Sequence, residues 1–154
     1  MAENKYRKMR DDKRLSREEV SSKSYQLDKG GIDVTRLGRI ETGKFPIHPE
    51  EVIILSKVYN EPTLCNYYCS HECEIGKKYV PHVEAQSLEK SILEIVASLN
   101  KVQKQQERLV EIAADGTIDE NETRDFKQIR DELERISVAV ETLQFWTEKN
   151  MGSI

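Results

Sequence analysis

The chain has 154 residues, of which 37% are hydrophobic and 34% charged, and its net charge at pH 7 is −4. This length suits one compact domain or two small ones, and the composition is typical of a helix-rich globular protein with a limited core. The longest aliphatic run, residues 52–55, is too short to cross a bilayer, and the charged N-terminal stretch contains no apolar segment, so we expect neither a membrane span nor a secretory signal.

Two short helices are predicted near the N-terminus. Tyr6 and an apolar residue three positions later fit one face of a first helix. Ser16 and Glu19 in "LSREEV" form a capping box, in which each side chain accepts a hydrogen bond from the backbone N–H of the other residue. This box predicts a second helix that begins at Arg17 and runs to about Lys23, before the glycine pair of "SYQLDKGG".

Three more short helices are predicted before the middle of the chain. Asp33 is a candidate N-cap for the third helix, and Leu37 and Ile40 mark its buried side. Gly43 stands where a residue in the left-handed conformation ends this helix. The fourth and fifth helices begin at prolines, which a helix tolerates in its first turn. These prolines are Pro49 and Pro62.

Long helices are predicted beyond a linker at residues 74–85. Apolar residues recur at alternating steps of four and three over residues 88–113, with one glutamine among them, and again over residues 129–143. Between these two heptad seams, Gly116 is a helix stop and Asp119 is an N-cap. The two helices are therefore expected to form a tight antiparallel hairpin.

A hairpin over residues 86–150 buries only one stripe on each helix, and further apolar residues lie off the seams. A second hairpin would cover them and give a four-helix bundle across a dimer. Packing on the N-terminal domain of the same chain is the alternative that the pattern leaves open. The residues assigned to dimerisation are Leu88, Ile92, Leu99, Leu109, Ile129, Leu133, Ile136, Val140 and Leu143.

The segments "YRKMRDDKRLSREEVSSK" and "GIDVTRLGRIETGKFPIHPEEVIILSKVYN" resemble the Cro and phage-repressor (XRE) family of DNA-binding domains. The features are "LSREEV" with a small Ser21, then "RIETGK", then an aliphatic fourth helix with a small Ser56, within about residues 5–65. The resemblance implies a five-helix, lambda-repressor-like helix-turn-helix domain over residues 1–73. The connector between Ser21 and Asp33 is longer than in this family, so "YQLDKGG" either lengthens the first motif helix or forms a flap beside the DNA.

In this family the second motif helix enters the major groove of double-stranded DNA, and the resemblance implies the contacts that it makes here. Arg36 is expected to fork onto a guanine, and Thr35 to touch a base edge or a thymine methyl group. Arg39 and Lys44 are expected to meet phosphates, Arg17 to touch the DNA backbone or a base edge, and Ser16 to donate to a phosphate. The residues assigned to DNA are Ser16, Arg17, Val34, Thr35, Arg36, Arg39 and Lys44.

The charge of the chain is uneven. Residues 1–48 contain twelve Lys and Arg and eight Asp and Glu, a net charge of +4. Residues 49–154 contain twelve Lys and Arg and twenty Asp and Glu, a net charge of −8. A basic N-terminal part on an acidic body fits nucleic-acid contact through the basic part, although chance clustering gives the same pattern.

Cys65, Cys69 and Cys73 recur every four residues, with His71 between the last two. Three cysteines and a histidine can bind zinc, but this spacing on one helix spreads the sulfur atoms over roughly 12 Å. Packing of small thiols is the expectation, and a metal site or a redox-sensing thiol pair are the alternatives. We expect no cofactor, and the odd number of cysteines favours a reducing, cytoplasmic location.

No residue pattern indicates catalysis, since the chain has no Gly-rich phosphate loop and its three histidines have no nucleophile partner in a recognisable frame. The expected function is that of an all-α, cytoplasmic, sequence-specific transcriptional regulator that binds an inverted-repeat operator as a dimer. The alternative is a protein-interaction module with a degenerate helix-turn-helix, whose C-terminal hairpin docks a protein partner. An uncovered basic face over residues 34–39 favours DNA, and a covered face favours the alternative.

Overall fold

The computed structural model describes residues 4–84, 86–114 and 116–151, and these residues form helices and connecting turns without a strand. The helices are α1 (Lys5–Asp12), α2 (Arg17–Leu27), α3 (Val34–Glu41), α4 (Pro49–Tyr59), α5 (Thr63–His71), α6 (Gly76–Tyr79), α7 (Leu88–Lys104), α8 (Gln106–Ala113) and α9 (Thr123–Met151). The protein is therefore all-helical over its described residues. None of these helices combines the length and the apolar character needed to cross a bilayer.

The chain divides into two compact units, Met1–His82 and Val83–Ile154. The boundary falls inside the predicted linker, residues 74–85, whose residue Ala85 lies outside the described residues. The short helix α6 also lies in this segment and packs on α5. The first unit therefore extends further along the chain than the predicted domain at residues 1–73, of which residues 1–3 are not described.

One apolar core holds the helices of the first unit together. Leu37 and Ile40 of α3 are buried, as the sequence predicts, and they share this core with Val20 of α2 and Leu55 of α4. Each fully buried aliphatic side chain contributes about 1.5–3 kcal/mol, so the core fixes how α3 lies against its neighbours. The buried residues of the core are Tyr6, Val20, Ile32, Leu37, Ile40, Ile47, Val52, Ile54, Leu55, Tyr59 and Leu64.

The predicted helix caps are present in α2 and α3. The Ser16 hydroxyl accepts the N–H of Glu19 at 3.1 Å, and the Glu19 carboxylate accepts the N–H of Ser16 at 2.7 Å. Asp33 caps α3 by accepting the backbone N–H groups of Thr35 and Arg36 at 2.8 and 2.9 Å. After α3, Gly43 has a φ of 69°, the left-handed conformation that glycine adopts without strain.

The segment that follows Lys23 lengthens α2 by about one turn, to Leu27. The chain then returns through a turn that is fastened to α2, because the buried Ser24 hydroxyl accepts the N–H of Ile32 at 2.8 Å. Gly31 allows this turn to lie close to the helix, since a Cβ atom there would lie 2.6 Å from the ring of Tyr25. The segment "YQLDKGG" therefore lengthens α2, which is one of its two predicted arrangements.

In the second unit, α9 packs antiparallel on α7 and α8. Lys101 of α7 binds Glu132 of α9 at 3.1 Å, and Arg108 of α8 binds Asp125 of α9 at 2.8 Å. Both ion pairs fit the same antiparallel register. The first long helix of the prediction is divided at Gln105, whose φ of −102° and ψ of 4° lie outside the α-helical region.

Small residues lie at the contact between α7 and α9. Ser91 and Ser98 of α7 are buried, as are Ala139 and Thr142 of α9, together with Ile129. Ile129 therefore belongs to the chain's own helix contact. Four large apolar residues of the predicted seams remain between 39% and 51% exposed, namely Ile92, Leu99, Leu133 and Val140. The other residues assigned to dimerisation are partly buried, namely Leu88, Leu109, Ile136 and Leu143.

Candidate nucleic-acid interface

One face of α3 points away from the core. Successive residues of a helix are turned by about 100°, so burial of Leu37 and Ile40 leaves Thr35, Arg39 and Thr42 on the opposite side. All three of these side chains are exposed. Thr42 was not among the predicted contact residues, yet it follows Thr35 and Arg39 at the helical spacings of seven and three, which would have identified it.

Two positive charges on this face have no carboxylate partner within the described part of the chain. The Arg39 guanidinium lies 5.3 Å from the centre of the Phe45 ring, a cation–π contact, and Phe45 is half exposed. Lys44 is exposed directly after the Gly43 turn, and its N–H donates to the carbonyl of Arg39 at 3.0 Å. Cations that are not neutralised inside the protein are available to a polyanion.

Arg36 lies at the edge of this face and is bound inside the protein. Its Nε and Nη2 atoms donate to the two oxygens of the Glu51 carboxylate, each at 2.7 Å, and Nη2 also donates to the carbonyl of Pro46 at 2.8 Å. Fork-to-fork pairs of this kind are among the stronger hydrogen-bonded contacts in proteins. Contact with a guanine would require Arg36 to leave these partners, which tie α3 to the N-terminal end of α4.

The Glu51 carboxylate also caps the N-terminus of α4. It accepts the N–H of His48, the residue that precedes α4, at 2.8 Å. Burial opposes ionisation of this carboxyl, but the hydrogen bonds from the Arg36 guanidinium and the His48 N–H outweigh burial and hold the pKa of Glu51 below its ordinary value of 4.5. The ionised carboxylate therefore stabilises the folded state, and this contribution is lost when the pH falls through the lowered pKa.

Replacing Arg36 by alanine is expected to lower the free energy of unfolding by about 1.5–3 kcal/mol, because the Glu51 carboxylate loses two charge-assisted hydrogen bonds. The advantage of the parent over Glu51→Gln should be full above pH 4.5 and shrink at lower pH. Thermal unfolding from neutral pH to about pH 3.5 measures both effects. Unchanged stability of Arg36→Ala, with a relaxed preference at one base pair of a bound duplex, would show instead that Arg36 reads DNA.

Arg17 and Ser16 lie beside α3 at the start of α2. The Arg17 side chain passes close to Gly38 and donates through Nε to the Glu41 carboxylate at 2.7 Å. Ser16 is exposed at the N-terminus of α2, where backbone N–H groups and the helix dipole favour an anion. Val34, at the first turn of α3, is partly exposed as well. The structure thus brings the predicted contact residues onto adjoining parts of one surface, with Arg36 engaged at its edge.

The cysteines lie on and after α5. Cys65, Cys69 and Cys73 are free thiols and each is partly buried, with Cys65 packed against the core of the first unit. The His71 ring stacks on Tyr67 with 4.6 Å between ring centres. Among the described residues, no group of three or more His, Cys, Asp and Glu side chains is arranged to hold a metal ion. Cys65 therefore contributes a packing contact to the core of the first unit.

The arrangement around α3 can contact an extended polyanion. It combines the exposed hydroxyls of Thr35 and Ser16 with two cations that have no carboxylate partner among the described residues, on adjoining parts of one surface. No family model, curated protein or solved structure matches the chain.

Proposed function

We propose that the chain is a sequence-specific DNA-binding transcriptional regulator of the helix-turn-helix type, in which α3 enters the major groove. The observation that carries this proposal is the outward face of α3, which presents Thr35, Arg39 and Thr42 without cover from the segment that lengthens α2. The major groove of B-form DNA is wide enough to admit an α-helix. In helix-turn-helix proteins, the first residues of the second motif helix contact the base edges. The XRE resemblance of about residues 5–65 points to the same pose.

Different side chains of this surface contact the bases and the phosphates in the proposed complex. Val34 and Thr35 stand at the N-terminal end of α3, where apolar and methyl contact with thymine is favourable. Arg39 and Lys44 have charges free for phosphates, and the Ser16 hydroxyl, which accepts the N–H of Glu19, can donate its own hydrogen to the same backbone. Arg36 holds α3 against α4 in this account, so it orients the reading helix rather than reading a base. Free thiols and DNA binding both fit a cytoplasmic location.

Dimerisation through the second unit would give the regulator two copies of α3 for DNA binding. The antiparallel register places Leu99 level with Leu133, and Ile92 level with Val140, to within one residue. The helical turn puts these four exposed side chains on the same side of the α7–α9 contact. A second copy that covers them forms a four-helix bundle, and a two-fold dimer matches an inverted-repeat operator.

Arg39→Ala and Lys44→Ala are each expected to weaken binding to specific and random duplexes alike, and to reduce the slope of log affinity against log salt by about one phosphate contact. Fluorescence anisotropy over a salt series measures both quantities. Lys57→Ala, which removes an exposed lysine from α4, is the matched control and should bind as the parent does. Parent-like affinity of both α3 variants would mean that this face does not contact DNA.

One observation favours the alternative, a protein-interaction module. Tyr25 and Leu27, on the added turn of α2, are each more than half exposed. Exposed large apolar side chains take part in many protein contacts, and these two offer such contacts on different sides of α2. Failure of the parent protein to bind any duplex at low salt, together with intact folding, would favour this function over DNA binding.

A further inference from the structure

A polar cavity of about 470 Å³ lies between α7 and α9 in the second unit. Its volume falls within the range of about 300–1,000 Å³ that is common for small-molecule sites. The cavity lies at Gln105, where α7 ends and α8 begins. The side chains around it include Lys101, Lys104, Gln105, Asp131, Glu132 and Arg135. This lining favours a polar ligand with charged groups over an apolar one.

The cavity and the exposed apolar residues lie on opposite sides of the α7–α9 contact. Relative to the buried Ser98, the helical turn of about 100° per residue puts Leu99 on one side and Lys101 and Lys104 on the other. The same rule separates Leu133 from the cavity residues of α9. A dimer formed through the apolar side therefore leaves the cavity open to solvent.

Two buried oxygens in the wall of the cavity have no hydrogen-bond donor among the described residues. Lys101 and Arg135 both donate to Oε1 of Glu132, at 3.1 and 3.0 Å, and Oε2 of the same carboxylate is left without a donor. Oε1 of Gln105 is buried without a donor as well. Leaving a buried acceptor without a donor is unfavourable, and more so for a charged one. These two oxygens can each accept a hydrogen bond from water or from a ligand that carries N–H or O–H donors.

The cavity also offers a positive charge. Lys104 has no carboxylate partner within the described part of the chain, although it lines the same space as Glu132. A simple anion beside Lys104 supplies no donor to these two oxygens, and a simple cation would lie beside Lys104 and Arg135 and meet repulsion. A molecule with an ammonium and a carboxylate group a few bonds apart supplies both the donor and a partner for Lys104.

We propose that this cavity binds a zwitterionic small molecule of the amino-acid class. Its ammonium group donates to Oε2 of Glu132 and to Oε1 of Gln105, and its carboxylate accepts from Lys104. Rotation about the last side-chain bond of Glu and Gln is soft, so both oxygens can turn toward the ligand. The proposal does not depend on DNA binding, because the residues that form the site all belong to the second unit.

The test is a nuclear magnetic resonance titration of the full chain with each free proteinogenic amino acid at millimolar concentration. At least one should shift the backbone signals around residues 101–105 and 131–135. Lys104→Gln and Glu132→Gln should each weaken that binding about tenfold or more, since each removes a charge-assisted contact. Lys90→Gln and Glu134→Gln make the same substitutions at exposed positions outside the cavity lining and should leave the affinity unchanged.

Single-charge forms of the same amino acid, acetylated at nitrogen or esterified at the carboxylate, should bind much more weakly. The proposal is overturned if no amino acid shifts these signals, if both cavity variants bind as the parent does, or if a single-charge form binds as tightly as the free amino acid. Retained helical circular dichroism in each variant separates loss of binding from loss of fold.

Discussion

Replacing Glu41 by alanine is expected to destabilise the first unit by about 3–5 kcal/mol, a large share of the 5–15 kcal/mol that keeps a typical domain folded. The Glu41 side chain is fully buried and binds two arginines. Arg10 of α1 forks onto both of its oxygens, and Arg17 of α2 donates to one of them. Since Glu41 lies on α3, this carboxylate ties three helices together, and its removal leaves Arg10 as a nearly buried charge without its main partner.

Urea denaturation followed by circular dichroism measures this loss for the transition of the first unit. Glu50→Ala, at an exposed position in the first turn of α4, is the control and should change the stability by no more than about 0.5 kcal/mol. A loss below about 1 kcal/mol in Glu41→Ala would mean that the pair behaves as a solvated surface bridge. The buried geometry would then not describe the protein in solution.

Replacing Leu133 by aspartate is expected to weaken dimerisation by at least about a hundredfold, because a charge buried without a partner costs several kcal/mol. Leu133 is 46% exposed in the single chain, so the change should leave the fold of the second unit intact. Light scattering at micromolar concentration should give twice the chain mass of 17.9 kDa for the parent and a value near that mass for the variant. Affinity for an inverted repeat should fall in parallel.

Lys127→Asp is the matched control, since it places the same residue at an exposed position near the start of α9. It should remain dimeric. A parent protein that scatters as a monomer would contradict the dimer itself, whereas a dimeric Leu133→Asp variant would mean that another surface makes the contact.

Helix starts were predictable from the sequence because they depend on groups a few residues apart. The hydroxyl of Ser16 and the carboxylate of Asp33 cap the helices that follow them, and Gly43 ends α3 through its positive φ. The predicted end of α2, at about Lys23, lies one turn before the observed end at Leu27, because the glycine pair marks only that the helix stops somewhere before it. The anchor that favours the longer helix, the bond from Ile32 to Ser24, joins residues whose closeness the pattern does not reveal.

The candidate site was predictable in its position but not in its internal pairing. Helical spacing puts Thr35 and Arg39 outward from the buried Leu37, which the structure shows as well. The spacing of residues along α3 does not predict that the carboxylate of Glu51, on α4, binds Arg36. Such a pair depends on how two helices pack, and tertiary packing is set by the whole core.

The heptad pattern of the second unit predicts long helices, but only part of each seam lies in the contact between them. Counting by fours and threes selects large apolar residues such as Leu99 and Leu133. Two helices at close approach instead bury small residues, here Ser91, Ser98 and Ala139. A single sequence does not distinguish a seam inside one chain from a seam between chains, and it carries no signal for the break at Gln105.

Selection of bound duplexes from a random pool by the full chain, followed by sequencing, tests sequence-specific DNA binding most directly. A dimer that binds through α3 should enrich an inverted repeat, with half-sites about one helical turn or a multiple of a turn apart, roughly 10 base pairs per turn. A Thr35→Ala variant should select the same spacing with a relaxed preference within each half-site, because the base contact is lost while the dimer is kept. A pool that shows no enriched sequence, from a protein that is folded and dimeric, would contradict sequence-specific DNA binding by α3.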